Sequence, residues 1–395
     1  MRLRAIDLFC GCGGMSAGVR SLGIEVLAGV DVAPDYMSTF EHNFPDAAAI
    51  RGDLAELSPI ELMDRAGVRR GELDLLIGGP PCQGFSKNVP RRHRYLEDER
   101  NRLVLAFLGH ARALMPRHIV MENVAEMKNG FESNYTDEIV EQLSEIGYSV
   151  NYGVLNAADY GVPQRRRRAF FLASRDTSNA PSLPKATHSP VSDLTLFPRP
   201  RHVNVEEAIS DLPNLQHGEG EKLTPYKTDP QSEYQQLMRS AKGVVTNHIA
   251  RKLQPVQFAR LSALLPGQGL KDLPAHLKVK GGYSGAYGRL TWDMIPPTIT
   301  RWVFHPGSGR WGHPEDIRLL TIREVARVQS FEDDFVFVGT YNQQAGQLGN
   351  AVPPLLMRQV AAAVLAYDSV GARSNREINV SNDIRSSSAR TNLVI

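Results

Sequence analysis

The sequence predicts an α/β protein with a mostly parallel sheet and a smaller, loop-rich second region. Short apolar runs alternate with helical stretches between Ala5 and Ala173, as expected of strands covered on both faces by helices. Several runs end in an acid or in glycines, the place where a parallel sheet holds its ligands. After Ser174 the alternation gives way to Pro, Ser, Thr and Gly, and helical patterning returns only near Thr321.

The first strand spans Ala5 to Phe9, interrupted by Asp7 and followed by Gly11, Gly13 and Gly14 and a helix from Met15 to Leu22. Val26 to Val30 is the second strand, ending at Asp31, with a helix from Pro34 to Asn43. Ala47 to Ile50 is a third strand, ending near Asp53. Leu73 to Ile77 is the fourth and His118 to Met121 the fifth, with the amphipathic helix Leu103 to Leu114 between them. Tyr135 to Ile146 reads as a helix, and Tyr148 to Asn156 and Ala169 to Ala173 as two further strands. Gly281, Gly282, Gly285 and Gly288 exclude a long helix from their segment. Helices return at Thr321 to Val328 and at Pro353 to Tyr367, with Pro354 in a first turn. These shifts divide the chain into 1–184, 185–312, 313–367 and a Ser-, Arg- and Asn-rich tail, 368–395, expected to be disordered.

With 395 residues, 42% of them hydrophobic, the chain can bury a sizeable core. No stretch approaches the roughly 18 apolar residues of a membrane span, and apolar patterning begins by Leu3, just ahead of the first strand, so the expected compartment is the cytoplasm. Three cysteines, Cys10, Cys12 and Cys82, provide neither a disulfide framework nor a four-ligand zinc set, and no metal is expected. The net charge is +2, but Lys185 to Gly312 holds 16 Lys or Arg against 10 Asp or Glu. That excess suits an anionic polymer better than a small neutral substrate.

Cys82 follows the apolar run Leu75 to Ile77 on a turn of two glycines and two prolines, which presents it as a nucleophile at a strand's carboxyl end. The plainer reading is a buried Cys capping a strand. The glycine turn after the first strand lets backbone approach a nucleotide-like ligand, and Asp31, twenty residues past Gly11, can accept from ribose hydroxyls. Gly-x-Gly-Gly suits a single adenosyl group better than a dinucleotide. In the run Gln164 to Arg168, an extended chain sets Arg166 and Arg168 on one face and Arg165 and Arg167 on the other.

Six blocks in order resemble the DNA (cytosine-5) methyltransferases, of the bacterial restriction-modification or Dcm-like type. They are Asp7 to Gly14, Gly78 to Ser86, Glu122 to Val124, Gln164 to Arg168, Arg318 to Glu324 and Gln347 to Pro354. The resemblance implies a Rossmann-like S-adenosylmethionine-dependent fold, with 1–184 and 313–367 forming one catalytic domain and 185–312 a target-recognition domain. S-adenosylmethionine would be lined by Phe9, Gly11, Gly13 and Gly14. Asp31 would clasp its ribose, Val32 lie on the adenine, Asp53 meet the exocyclic amine, and Pro80, Asn350 and Val352 complete the pocket. Cys82 would add to C6 of cytosine, Glu122 donate to N3 and Arg168 stabilise O2, with Arg166 beside them. Ser86, Lys87, Arg91, Arg92, Arg94 and Gln164 would meet DNA.

Cytosine C5 is a poor nucleophile, so covalent addition at C6 must precede its methylation. The base must also leave the duplex, at a cost of a few kcal/mol. The implied partner is duplex DNA; a restriction endonuclease acting on the same site is a further one, and the chain is expected to be a monomer. Two rivals are a transfer RNA cytosine-5 methyltransferase and a catalytically silent DNA-binding regulator. Gly84 after Gln83, and no cysteine after Cys82, disfavour the first; the presence of Cys82, Glu122 and Arg168 disfavours the second.

Overall fold

The computed structural model describes residues 2–81, 102–125, 133–175, 179–190, 198–279, 281 and 285–366. Seven strands form one sheet: β1 (Arg4–Leu8), β2 (Glu25–Asp31), β3 (Ala48–Arg51), β4 (Leu75–Gly78), β5 (His118–Val124), β6 (Tyr148–Asn156) and β7 (Arg167–Arg175). Their order is β3-β2-β1-β4-β5-β7-β6. The first five strands pair in parallel, and β7 runs antiparallel to both β5 and β6. The chain winds outward from β1 through β2 and β3, then resumes on the other side at β4, which opens a crevice at the carboxyl ends of β1 and β4.

Both faces of the sheet are covered. Along β4, Leu75 and Ile77 belong to one core and Leu76 to the other, the two-residue period of a strand buried on both sides. Helices α1 (Gly14–Arg20) and α2 (Pro34–Asn43) follow β1 and β2, α3 (Pro59–Ala66) precedes β4, and α4 (Arg102–Leu114) and α5 (Ser133–Glu145) flank β5. The register of β5 on β7 sets Glu122 opposite Phe170 and Val124 opposite Arg168. Glu122 and Arg168 are therefore diagonal neighbours on one face.

Beyond β7 come short elements, among them α6 (Val205–Ile209), α7 (Glu233–Met238), α8 (Pro255–Ser262), and the two-stranded pairs Leu223–Pro225 with Val244–Thr246 and Gly288–Arg289 with Arg310–Gly312. Part of this region shares the core on one face of the sheet: Val205, Ile209 and Tyr234 cluster with Met15 and Phe331. Arg327, on α9 (Ile322–Val328), is fully buried between Asp211 at 2.9 Å and Asp333 at 2.7 Å. Arg318 and Glu324 form a second buried pair through two bonds, at 2.7 and 2.9 Å.

The described residues end in α10 (Tyr341–Asn350) and α11, residues 354–366, separated by 351–353. A Cβ on Gly18 would lie 2.6 Å from the Pro354 carbonyl, so only glycine lets α1 meet α11 this closely. The run Tyr341–Ala366 passes a length-and-composition test for a membrane span, but it is two helices broken at 351–353. Its most apolar window is 61% buried among other elements, as a core helix is. The tail 368–395 lies outside the described residues.

Candidate active site

A cleft of about 760 Å³ opens at the carboxyl ends of β1, β2, β4 and β5. One half is built by the turn after β1. Phe9 and Gly11 take left-handed φ angles of 63° and 55°, which fold the backbone back on itself and cost Phe9 some strain. The Gly11 amide donates to Asp31 Oδ2 at 3.0 Å and the Ala33 amide to Oδ1 at 2.9 Å. Burial lifts the Asp31 carboxyl above its ordinary value against these amides. A Cβ at Gly11 would meet nothing nearer than the Tyr36 ring at 3.8 Å, so the turn faces open space.

Gly13, expected to line the cleft, does not. Its φ is 98° and a Cβ there would sit 2.4 Å from the Phe44 ring, so it shapes the turn from behind. Val32 is 64% exposed at the end of β2, an apolar side chain held against the cleft. Asp53 sits beyond β3, paired with Arg102 at 2.6 Å. Burial raises its carboxyl, but the Ala55 amide and Arg102 outweigh that and leave it below the ordinary value. Asn350 donates to the Tyr36 hydroxyl at 2.8 Å, and Ala351 and Val352 close the wall. An open glycine turn, a ribose-ready acid, an exposed valine and a second acid suit an adenosyl group.

The other half is charged. Arg168 Nε donates to Glu122 Oε1 at 2.9 Å, and both side chains are largely enclosed. Burial raises the Glu122 carboxyl above its ordinary value, and the charges of Arg168 and Arg166 only partly oppose it. Such a carboxyl favours its protonated, donating form more than a free Glu does. Chain 79–81 passes directly over it: a Cβ at Gly79 would lie 3.0 Å from Glu122 Oε2. Asn123 Nδ2 donates to the Pro80 carbonyl at 3.1 Å, fixing that chain to β5. Cys82, Ser86, Lys87, Arg91, Arg92 and Arg94 lie outside the described residues.

Arg166 lines the same cleft but spends two donors inward, on the Ile299 carbonyl at 2.9 Å and the Gly349 carbonyl at 3.1 Å. Gln164 corrects an expectation. It is fully buried, accepting from the Ile299 amide at 2.9 Å and donating to Gln329, so its amide braces the protein and does not meet DNA. Tyr36, Arg102 and Arg301 also line the cleft. Tyr36 sits in the first turn of the helix after Asp31, and Arg102 and Arg301 carried no distinguishing sequence signal. Among the described residues no three His, Cys, Asp or Glu are grouped as a metal site.

The family described as C-5 cytosine-specific DNA methylase matches residues 3–366. The type II methyltransferase M1.HphI of Haemophilus parahaemolyticus is 35% identical over 375 residues, spanning 93% of this chain and 88% of its own. Type II methyltransferase M.DdeI of Desulfomicrobium norvegicum is 33% identical over 386 residues, spanning 92% and 89%. A solved structure of a prophage-encoded DNA modification methyltransferase from E. coli, described as putative, superposes with a TM-score of 0.72 at 24% identity, over 93% of this chain and 99% of that one. That last likeness bears on fold alone.

Proposed function

Because the chain belongs to the C-5 cytosine-specific DNA methylase family, and so is a DNA (cytosine-5)-methyltransferase that uses S-adenosylmethionine, we propose how its own residues divide the work. Phe9, Gly11, Gly14, Asp31, Val32, Asp53, Pro80, Asn350 and Val352 hold the adenosyl donor, with Gly13 setting the turn. The bound donor supplies an electrophilic methyl group. The thiolate of Cys82 adds to C6 of a cytosine drawn out of duplex DNA, and Glu122 gives a proton to N3 as the ring's electrons shift. Arg168 meets the charge on O2, and Arg166 fixes the wall behind it. Methyl transfer to C5 would leave S-adenosylhomocysteine; water then takes the C5 proton, Cys82 leaves C6 as thiolate, and N3 returns its proton to Glu122, which restores the ring.

The observation that carries this reading is the Glu122–Arg168 pair, enclosed on one face of β5 and β7 against chain 79–81, the segment that leads to Cys82 in sequence. The basic loop with Ser86, Lys87, Arg91, Arg92 and Arg94 meets the phosphates, and 185–312 reads the target sequence. We read the chain as a cytoplasmic monomer, with a restriction endonuclease of the same target as its counterpart. The test is to incubate the protein with duplex DNA and S-adenosylmethionine and resolve the nucleosides by mass spectrometry. The expected product is 5-methylcytosine; N4-methylcytosine alone would overturn the covalent route.

A further inference from the structure

An exposed indole, Trp302, directly follows Arg301, which lines the cleft. Trp302 is 54% exposed, whereas Trp311 is buried and Trp292 half-buried against the core. Leaving so large an apolar ring in water forgoes a substantial burial gain. The chain around it is too firmly held to fold the ring away. Val303 N donates to the Thr300 carbonyl at 3.0 Å, His305 N to the Trp302 carbonyl at 2.8 Å, and Arg251 to the Phe304 carbonyl at 3.0 Å. Upstream, Thr298 Oγ1 donates to the Arg165 carbonyl at 2.7 Å. A Cβ on Gly349 would lie 2.2 Å from Arg301 N, so this turn is pressed against the end of α10.

The backbone that carries the indole is therefore held next to the cleft-lining Arg301, and the ring packs between cations and a buried phenylalanine. Arg301 lines the cleft, and its guanidinium carbon is 5.3 Å from the Trp302 ring centre. The buried Phe304 ring backs it at 5.9 Å, with Arg251 5.1 Å over Phe304, so Trp302 is the ring of this pair that faces solvent. Cations interleaved with aromatic faces suit a nucleic acid, because phosphates meet the cations and any base can stack on a ring. We infer that Trp302 stacks on a nucleobase of the bound duplex beside the point where the target cytosine enters the cleft, with Arg301 and Arg251 drawing in the flanking phosphates. This rests on the methyltransferase reading of the cleft.

The experiment titrates wild type and Trp302→Phe with a duplex oligonucleotide carrying a site the wild type methylates, in the presence of S-adenosylhomocysteine, and follows tryptophan emission. DNA should quench the wild type and leave Trp302→Phe nearly unchanged. In steady-state methylation, Trp302→Ala should raise KM for DNA about tenfold, in line with the stacking of one base, while Trp302→Phe restores most of it. Quenching that persists in Trp302→Phe, an unchanged KM in Trp302→Ala, or a defect that phenylalanine does not relieve would each overturn the inference. If Trp302→Ala no longer binds S-adenosylhomocysteine, it is misfolded, and the Trp302→Phe titration alone decides. A wild type that yields no 5-methylcytosine would instead refute the reading of the cleft itself.

Discussion

Arg168 and Glu122 meet across β5 and β7, with Nε 2.9 Å from Oε1. The contact follows from register, since Glu122 lies opposite Phe170 and Arg168 two residues along on the same face. Burial and the guanidinium pull the carboxyl in opposite directions, and burial wins. The result is an acid fixed in place by a cation yet still inclined to keep its proton.

Replacing Glu122 with Gln retains a donor but removes the transferable proton. Turnover should fall by about two orders of magnitude or more, with DNA affinity changed only a few-fold. The sign of the pH effect follows from the raised carboxyl: the protonated fraction of wild type declines as pH climbs through that raised value, and the rate declines with it. Single-turnover rates across pH should show this limb in wild type and lose it in Glu122→Gln. Equal losses in binding and chemistry would make Glu122 an organising residue.

Cys82 is assigned by sequence and resemblance, so its test is chemical. DNA with 5-fluorocytosine at the target should form an adduct that survives denaturing electrophoresis, because fluorine at C5 cannot leave as a proton. Cys82→Ala should form none while still binding S-adenosylhomocysteine, whose pocket is built mainly by the turns after β1, β2 and β3. An active wild type that gives no adduct would reject Cys82 as nucleophile.

The sheet was legible because buried parallel strands are continuous apolar runs; the first five lie within a few residues of their expected places. Helix α10 was not legible. Its residues, Tyr341 to Asn350, include two glycines and three glutamines, and what holds it is tertiary: Thr340 and Gln343 cap it, and the buried Gln347 donates to the Asp35 and Val338 carbonyls at 3.0 and 3.1 Å. Gln164 had a usable signal. The alternation that turns Arg166 inward also turns Gln164 inward, two residues before it, so its burial was implied by the same argument. Gly13 had none, because only the folded turn shows which glycine faces the ligand and which faces Phe44.

Sequence choice is assigned to 185–312, but an exchange at those bounds would tear the core. Asp211 is a buried partner of Arg327, and removing one member of such a pair costs about 3–5 kcal/mol. A graft that exchanges only 265–285, and so keeps Asp211, Arg289, Ile299 and Arg301 in place, should stay folded and methylate the donor's sequence. Mapping methylated cytosines on a plasmid of known sequence reads the outcome. A folded, active chimera that still marks the original site would move base reading into the retained residues.

Asp7 offers a test of the fold beneath the cofactor turn. It is fully buried in β1, accepting from Ser16 Oγ at 2.6 Å through Oδ2, while Oδ1 has no partner among the described residues. Burial lifts its carboxyl to about 7, against the Ser16 hydrogen bonds. The folded protein thus holds this proton more tightly than the unfolded chain does. The resulting stability is fully present below the ordinary carboxylate range and is lost as pH rises through about 7. A rise of that size is worth about 4 kcal/mol, spread at about 1.4 kcal/mol per pH unit. Asp7→Asn keeps an acceptor for Ser16 and cannot ionise. Urea unfolding at several pH values between 5 and 8 should therefore show the stability of wild type falling relative to Asp7→Asn as pH rises. A gap that stays constant across that range would mean that Asp7 does not change charge there, and that its free oxygen is met by a donor such as an enclosed water.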